Sequence, residues 1–280
     1  MTVGSLFAGI GGFDLGFERA GFEIKWQVEI DPFCQAVLAK HWPDVRRYND
    51  VRRVHGWRSE SGWQDCEGCT ECVERVDVLV GGFPCQDISN AGLRAGIDGE
   101  RSGLWREFHR LIGDLRPRYV VVENVSALLV RGIGRVLGDL ASIGYDAEWD
   151  RIPASAVGAA HERERIWIVA YPAEADDARD LLGARGVWES QIKHRGLCRY
   201  LGGFTAWDRA LEPQPRMVRV VDGLPKRLDD RLSSLGNAIV PQIAEWIARR
   251  ILEAEGVTGV EARPVADCAV DPVDGTTAER

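Results

Sequence analysis

The sequence predicts an α/β fold in which helices cover both faces of a mostly parallel sheet. Apolar runs of strand length alternate along the chain with segments of helical length. These runs are apolar throughout, which is typical of strands that are buried on both faces. Several runs end in glycine, proline or acidic residues, and ligands bind at the carboxyl ends of strands in open α/β sheets.

The first element is a short strand over residues 2–7, followed by the turn Ala8-Gly9-Ile10-Gly11-Gly12 and a helix from about Phe13 to Ala20. A glycine-rich turn between a strand and a helix lets the backbone approach a nucleotide-like ligand. The helix N-terminus that follows favours negative groups. Because loops are generally rich in glycine, the turn alone is a weak indication of a binding site.

A second strand from Glu23 to Ile30 contains Glu29, and Pro32 opens a helix that runs to about His41. Glu29 lies about 20 residues beyond the glycine turn, where an acidic side chain can accept hydrogen bonds from a ribose. A third strand ends near Asn49-Asp50-Val51. Asp50 could accept from an adenine amino group or could cap a helix. Both interpretations remain open at this point.

Residues 52–75 are polar and irregular, and they contain three cysteines at two consecutive CxxC spacings. The cysteines are Cys66, Cys69 and Cys72. Such spacings are typical of structural zinc sites, with His55 or His41 as the candidate fourth ligand. Exposed thiols in a surface insertion are the alternative. Because the cluster precedes the next strand, a zinc ion would lie at the end of the sheet away from the ligand-binding edge.

The next strand begins at Val76 and leads into Gly82-Phe-Pro-Cys-Gln86. The glycine allows a ligand to approach the backbone, and Pro84 stiffens the turn that presents Cys85. A cysteine just past the carboxyl end of a parallel strand lies at the ligand-binding edge of the sheet. Cys85 is therefore a candidate nucleophile. The alternative is a packed, inert thiol.

A helix over about Ser102 to Leu115 precedes a strand from Arg118 to Val122, which ends at Glu123. A carboxyl group buried beside an apolar strand tends to have a raised pKa and can donate a proton. Glu123 is expected at the same edge of the sheet as Cys85. The alternative is a surface glutamate that caps the next helix.

The remaining elements are a helix over about 134–143, a strand over 145–152, an apolar strand after Arg163 and Arg165, and a helix over about 240–253. The two arginines share one face because they are two residues apart on a strand. Planar guanidinium groups suit phosphates or a carbonyl oxygen. In the last helix, isoleucines form one face, at Ile243, Ile247 and Ile251.

The 280 residues carry a net charge of −8, which argues against nonspecific binding of polyanions but does not exclude a local basic face. No apolar run approaches the roughly 20 residues of a membrane span. The first residues lack the pattern of a signal peptide. We therefore expect a cytoplasmic protein with no membrane partner, in which the seven cysteines are mostly reduced.

Six blocks, in order, resemble the DNA (cytosine-5)-methyltransferases of bacteria and phages. They are Phe7-Ala-Gly-Ile-Gly-Gly12, Glu29, Gly82-Phe-Pro-Cys-Gln86, Glu123-Asn-Val125, Arg163-x-Arg165 and Gly236-Asn-Ala-Ile-Val-Pro241. Each block is short, but their joint occurrence is specific. The sequence departs from the family at His161, where glutamine usually precedes the paired arginines, and at Asn49-Asp50, which replaces a glycine–aspartate pair.

The resemblance implies a Rossmann-like S-adenosylmethionine-dependent methyltransferase fold that acts on a cytosine flipped out of a specific double-stranded DNA sequence. It implies four catalytic residues. Cys85 would add to carbon 6 of the base, Glu123 would bind ring nitrogen 3 and the amino group, Arg165 would hold the carbonyl oxygen, and Arg163 would orient Cys85 or a phosphate.

The resemblance also implies how S-adenosylmethionine is bound. Phe7 would pack on the adenine, Glu29 would hold the ribose hydroxyls, and Asp50 would bind the adenine edge. The complete implied set is Phe7, Ala8, Gly9, Ile10, Gly11, Gly12, Glu29, Ile30, Asp50, Val51, Pro84, Asn237 and Ala238. Asn237 is expected to bridge the two lobes.

The resemblance divides the chain into four parts. Residues 1–171 would form the catalytic and cofactor-binding domain, and residues 172–235 a small target-recognition lobe. Residues 236–255 would return to the catalytic domain as a helix, and residues 256–280 have the composition of a disordered tail. We expect a monomer. The resemblance is compatible with a cognate restriction endonuclease as a functional partner, but it does not tell whether one is paired with this protein.

Two alternative functions remain. One branch of the family acts on transfer RNA, but the Gly-Phe-Pro-Cys-Gln block and a separate recognition lobe favour DNA. The other alternative is a DNA-binding protein that has lost catalysis. The presence of Cys85, Glu123 and both arginines argues against that alternative.

Overall fold

The structure is a computed structural model that describes residues 1–56, 71–84, 104–159, 163–174, 181–182 and 238–257. Its centre is a seven-stranded sheet with the order β3-β2-β1-β6-β7-β9-β8. The strands are β1 (Thr2–Leu6), β2 (Glu23–Val28), β3 (Arg46–Tyr48), β6 (Val78–Gly81), β7 (Tyr119–Val125), β8 (Tyr145–Pro153) and β9 (Glu164–Pro172). Two further strands, β4 (His55–Gly56) and β5 (Cys72–Val73), form a separate parallel pair.

Five neighbouring strands of this sheet are parallel, namely β3, β2, β1, β6 and β7. Strand β9 pairs antiparallel with both β7 and β8. The chain leaves β1 towards β2 and β3, and then returns to the other side of β1 as β6. The order of the strands therefore reverses at β1. Ligands bind at such a reversal, outside the carboxyl ends of the strands. This topology places the expected site beyond the ends of β1 and β6.

Helices cover both faces of the sheet. They are α1 (Gly12–Arg19), α2 (Pro32–His41), α3 (Leu104–Leu115), α4 (Leu128–Arg131), α5 (Ile133–Ser142) and α6 (Pro241–Ala254). In β7, Val120 and Val122 pack in one core with α3 and α5, whereas Val121 packs in a second core with α1 and α6. This alternation between two buried faces confirms the predicted α/β architecture. Among the described residues, no helix is long and apolar enough to cross a membrane.

Most element boundaries lie within about two residues of the predicted ones, but two strands differ in an informative way. β2 ends at Val28 rather than Ile30, because Asp31 accepts hydrogen bonds from the amides of Phe33 and Cys34 and so starts α2. β7 does not end before Glu123 but continues to Val125, because β9 pairs with it as far as Arg165. Glu123 thus lies inside a strand rather than after one.

Helix α1 lies close to α6 and to the segment just before α6 because two glycines line these contacts. A β-carbon on Gly16 would lie 2.5 Å from the carbonyl oxygen of Pro241 and 2.6 Å from the β-carbon of Ala244. A β-carbon on Gly12 would lie 2.6 Å from the carbonyl oxygen of Ile239. Backbone atoms cannot move aside as a flexible side chain can. The two glycines therefore let the last described helix pack against the helix that follows the glycine turn.

Replacing Gly16 by alanine is expected to lower the free energy of unfolding by about 1–3 kcal/mol, because the added methyl group overpacks the contact with α6. Urea unfolding followed by circular dichroism measures this change. Gly138→Ala is the matched control: Gly138 lies on α5, and a β-carbon there would meet nothing within 4 Å. The control is expected to gain about 0.5–1 kcal/mol, as alanine favours helix. Equal gains in both variants would contradict the packing argument.

Candidate active site

The glycine turn after β1 has an unusual backbone. Phe7, Gly9 and Gly11 have φ values of 53°, 55° and 87°, all in the left-handed region. Such a conformation costs energy at the non-glycine residue Phe7, so the surrounding structure must hold the turn. The amide of Ala8 donates to the carbonyl oxygen of Val28 at 3.1 Å, and the amide of Gly11 donates to the carbonyl oxygen of Ala8 at 2.9 Å. The strand–turn–helix arrangement predicted from the sequence is therefore confirmed.

Glu29 fixes this turn to the end of β2. One carboxylate oxygen accepts from the amide of Gly9 at 2.7 Å, and the other accepts from the amide of Asp31 at 2.8 Å. Each carboxylate oxygen can accept a further hydrogen bond. Next to it, the Ile30 side chain is 66% exposed, and a β-carbon on Gly9 would meet nothing within 4 Å. Gly9 thus borders open space, and an exposed apolar side chain follows the Glu29 carboxylate in the chain.

Asp50 caps a turn rather than the helix that was one of the two interpretations left open by the sequence. Its carboxylate accepts from the backbone amide of Arg52 at 3.0 Å and from the guanidinium of Arg52 at 2.6 Å. These hydrogen bonds lower the pKa of Asp50. Arg110 on α3 holds the same segment by donating to the carbonyl oxygens of Val51 and Val54, at 3.1 and 2.7 Å. An adenine contact at Asp50 remains a prediction.

Glu123 and Arg165 form a partly buried ion pair at the carboxyl edge of β6 and β7. Glu123 is 8% exposed, and its Oε1 lies 3.2 Å from Nε of Arg165. Burial raises the pKa of Glu123 to about 7, although the charges of Arg165 and Arg163 oppose the rise. The raised pKa expected from the sequence is thus confirmed. A carboxyl group with this pKa is partly protonated at neutral pH and can both donate and accept a proton.

Gly82 gives Glu123 the room that it occupies. A β-carbon on Gly82 would lie 3.0 Å from Oε2 of Glu123 and 3.5 Å from the side chain of Ile239. The backbone of Ile239 also touches Gly12, as described above. The segment that begins at Ala238 therefore passes between the glycine turn and the segment that leads to Cys85. Parts of four predicted blocks are brought together at this point.

Several predicted residues lie outside the described ranges. They are Cys85, Asn237, Cys66, Cys69 and His161. One described range ends at Pro84, directly before Cys85, and another begins at Ala238, directly after Asn237. The roles predicted for Cys85 and Asn237 remain predictions.

Cys72 and His55 are brought together by the parallel pair of β4 and β5. The Sγ atom of Cys72 lies 3.4 Å from Nε2 of His55, and Nδ1 of His55 lies 3.2 Å from the carbonyl oxygen of Arg53. Of the two histidines named as candidate ligands, His55 is thus the one beside Cys72. Within the ranges described, no three His, Cys, Asp or Glu side chains cluster as a metal site would require. The predicted zinc site remains a prediction.

The chain matches the family model of C-5 cytosine-specific DNA methylases over residues 1–194, which is more than half of its length. The chain belongs to this family. The matched region contains five of the six sequence blocks, from Phe7 to Arg165. It also contains the complete Glu29, Gly82 and Glu123 arrangement described above.

Individual methylases of the family are similar over the same region. The type II methyltransferase M2.BsuMI of Bacillus subtilis is 33% identical over 178 residues, which cover 61% of this chain and 42% of that protein. M.NgoPII of Neisseria gonorrhoeae is 32% identical over 182 residues, which cover 61% of this chain and 48% of that protein. These matches thus cover less than half of each relative.

Among solved structures, the Dnmt2 methyltransferase of S. pombe superposes with a TM-score of 0.57 at 12% identity. The superposition covers 91% of this chain and 99% of that protein. At this identity the likeness concerns the fold alone. It supports the Rossmann-like fold that the resemblance implied, with a mostly parallel sheet covered by helices on both faces.

No role was predicted for Asn124 from the sequence. It is 2% exposed, and its Nδ2 donates to the carbonyl oxygen of Phe83 at 3.0 Å. Its Oδ1 accepts from the amide of Val125 at 2.9 Å. Asn124 therefore ties β7 to the segment just before Pro84 and Cys85. The available signal was an amide side chain within an otherwise apolar strand, beside the candidate acid.

Proposed function

We propose that the chain transfers a methyl group from S-adenosylmethionine to carbon 5 of a cytosine flipped out of a specific double-stranded DNA sequence. The reaction would proceed through a covalent adduct with Cys85. The Glu123–Arg165 pair carries this proposal. It places a carboxyl group with a pKa of about 7 beside the segment that leads to Cys85. Family membership supports the same reaction class.

The described residues fit the methyl donor. Glu29 has acceptor capacity left for ribose hydroxyls, Ile30 exposes an apolar face for the adenine, and the Gly9 turn borders open space. When bound, S-adenosylmethionine supplies an electrophilic methyl group on a sulfonium. The part of the chain that would hold it is the turn from Phe7 to Gly12, with Glu29 and Ile30 beside it.

The side chains of this protein would activate the base in a defined order. The Cys85 thiolate adds to carbon 6 of the cytosine, and Glu123 donates a proton to ring nitrogen 3 as negative charge develops there. Carbon 5 becomes an enamine carbon and can accept the methyl group. A base then removes the proton from carbon 5, the bond between sulfur and carbon 6 breaks, and the thiolate leaves. Glu123 recovers its proton from nitrogen 3.

Two cations assist these steps. Arg165 contacts Glu123 and would hold the carbonyl oxygen of the cytosine, since its planar guanidinium can serve both groups. A free thiol with a pKa near 8.5 would be only a few per cent thiolate at neutral pH, so Cys85 needs activation. Arg163, whose charge already acts on Glu123, would favour the thiolate.

The proposed target-recognition lobe would begin after Leu182 rather than at residue 172. Leu181 and Leu182 are 2% and 0% exposed and belong to the core that contains α1 and α6. Their amides donate to the carboxylate of Glu148 at 3.1 and 3.0 Å. These contacts favour a catalytic domain that includes both leucines. The recognition lobe would then lie within residues 183–235.

The other proposals concern partners and metal. We propose a soluble cytoplasmic monomer that acts on DNA, with a cognate restriction endonuclease as a functional partner. We also retain a structural zinc, with Cys72 and His55 as two ligands, because their 3.4 Å separation suits two atoms on one tetrahedral ion. The zinc content of the purified protein decides this point, and less than about 0.2 equivalents would exclude a structural zinc site.

Bisulfite sequencing of plasmid DNA from cells that express the chain tests the proposed function. We expect protected cytosines in one repeated sequence context, and none with a Cys85→Ala variant. If the wild type protects no cytosine from bisulfite conversion, the proposal that the chain methylates DNA is wrong. A labelled-methyl assay on transfer RNA then separates an RNA methyltransferase from a protein that only binds DNA.

A further inference from the structure

A buried polar cluster lies beneath the glycine turn, and the proposed chemistry does not use it. It consists of Ser5 on β1, Asp14 on α1 and Gln27 on β2, and each of the three is 0% exposed. The Ser5 hydroxyl donates to Oδ2 of Asp14 at 3.2 Å, and Nε2 of Gln27 donates to Oδ1 of Asp14 at 2.9 Å. One carboxylate thus joins two adjacent strands to the first turn of a helix.

Each member of the cluster lies two residues from a residue of the proposed donor site. Ser5 precedes Phe7 by two residues, Gln27 precedes Glu29 by two, and Asp14 follows Gly12 by two. The turn between Phe7 and Gly12 contains three left-handed residues. A turn with this backbone relaxes unless both of its ends are fixed.

Burial of the Asp14 carboxylate has a cost that only a complete set of hydrogen bonds offsets. Burial raises the pKa of Asp14 to about 6, and the hydrogen bonds from Gln27 and Ser5 oppose the rise. The nearby charge of Glu18 adds to the rise. An apolar contact could join the same three elements without this cost. An apolar contact could not, however, fix the distances and directions between the two strands and the helix as directional hydrogen bonds do.

We propose that Asp14 is a positioning residue that, through Ser5 and Gln27, fixes the Phe7–Gly12 turn and Glu29 in the geometry that binds the methyl donor. This inference rests on the proposed function. Asp14 itself would touch neither the donor nor the base. Its effect would therefore appear in donor affinity and not in the chemical step.

The test compares Asp14→Ala with a control on β1, the strand that carries Ser5. Thr2 on β1 makes a similar contact at the opposite end: its hydroxyl donates to Asp77 at 3.1 Å and accepts from the amide of Asp77 at 3.0 Å. Isothermal titration calorimetry with S-adenosylmethionine measures Kd, and thermal unfolding measures stability. Both Asp14→Ala and Thr2→Ala are expected to unfold at a lower temperature than wild type.

Only the Asp14 variant is expected to change donor binding. Loss of two hydrogen bonds that hold the turn should raise Kd about tenfold or more, whereas Thr2→Ala should leave Kd within about twofold. At saturating donor, kcat of Asp14→Ala should stay within about threefold of wild type. If Asp14→Ala does not fold, Ser5→Ala removes a single hydrogen bond and should raise Kd about threefold to fivefold.

A conservative replacement separates positioning from simple destabilisation. Asp14→Asn retains one acceptor oxygen, and its amide can donate to Oε1 of Gln27, which has no hydrogen-bond partner among the described residues. We expect donor affinity within about threefold of wild type for this variant. Equal changes in Kd for Asp14→Ala and Thr2→Ala would overturn the positioning role. A folded wild type that binds no donor would instead overturn the proposed function, and with it this inference.

Discussion

Replacement of Cys85 by serine is expected to lower the rate of methyl transfer by at least about 10³-fold while DNA affinity stays within about threefold of wild type. A serine hydroxyl is far less acidic than a thiol, so the attacking anion is almost absent at neutral pH. The base would enter the site, but carbon 5 would not become nucleophilic. Transfer of a labelled methyl group to DNA measures the rate, and a gel-shift titration measures affinity.

The matched control is Cys34→Ser. Cys34 lies on α2 and is 6% exposed. Its backbone amide donates to the Asp31 side chain that caps this helix, a contact that the substitution leaves in place. This variant should keep most of its methyl-transfer activity. If Cys85→Ser retained wild-type activity, the covalent route would be wrong. If it lost DNA binding to the same extent as activity, Cys85 would have a role in binding and not in chemistry.

Glu123→Gln is expected to lower kcat by about 10²–10⁴-fold with a much smaller change in DNA affinity. Glutamine can donate to ring nitrogen 3 and accept from the amino group of cytosine, as a protonated glutamic acid does, but it cannot transfer a proton. Single-turnover methyl transfer separates the chemical step from binding. Glu255→Gln is the control, because Glu255 accepts from the Tyr119 hydroxyl at the opposite end of β7. An unchanged single-turnover rate in Glu123→Gln would rule out the proposed acid.

The pKa of Glu123 gives this prediction a pH dependence. The carboxyl group titrates near pH 7 in the folded protein, so its protonated fraction falls as the pH rises through about 7. We therefore expect kcat/KM to fall as the pH rises through about 7, and we expect this decrease to be absent in Glu123→Gln. Stability should change in the same direction. The contribution of this group is present below its ordinary pKa of 4.5 and is lost as the pH rises through about 7.

Local sequence signals predicted the elements well where one residue decides a boundary. Helix α2 begins and ends as predicted, at Pro32 and His41, because Asp31 caps it and proline suits its first turn. In α6, the three isoleucines that form one face are all buried. Glu29 was predicted as a ribose ligand from its distance to the glycine turn; the structure places its carboxylate on the amide of Gly9 in that turn, and the ribose contact stays a prediction.

Contacts between distant parts of the chain could not be predicted in the same way. The Glu123–Arg165 pair depends on the antiparallel register of β7 and β9, which no local pattern specifies. Asn124 holds the Phe83 carbonyl across two strands, and Arg110 holds the Val51 turn from a helix about 60 residues away. The sequence named most of the chemical groups, whereas the residues that position them emerged only from the fold.

The reversed direction of β9 determines which parts of the chain meet at the site. Parallel strands β6 and β7 deliver residues from their later positions, at Gly82 and Glu123, whereas β9 delivers Arg165 from its beginning. Acid and cation therefore depend on separate segments. Arg165 is held by its pairing with Val125, so the position of the cation follows from the register of β7 and β9. A shift of β9 along β7 would therefore move the cation away from Glu123 while the acid kept its place on β7.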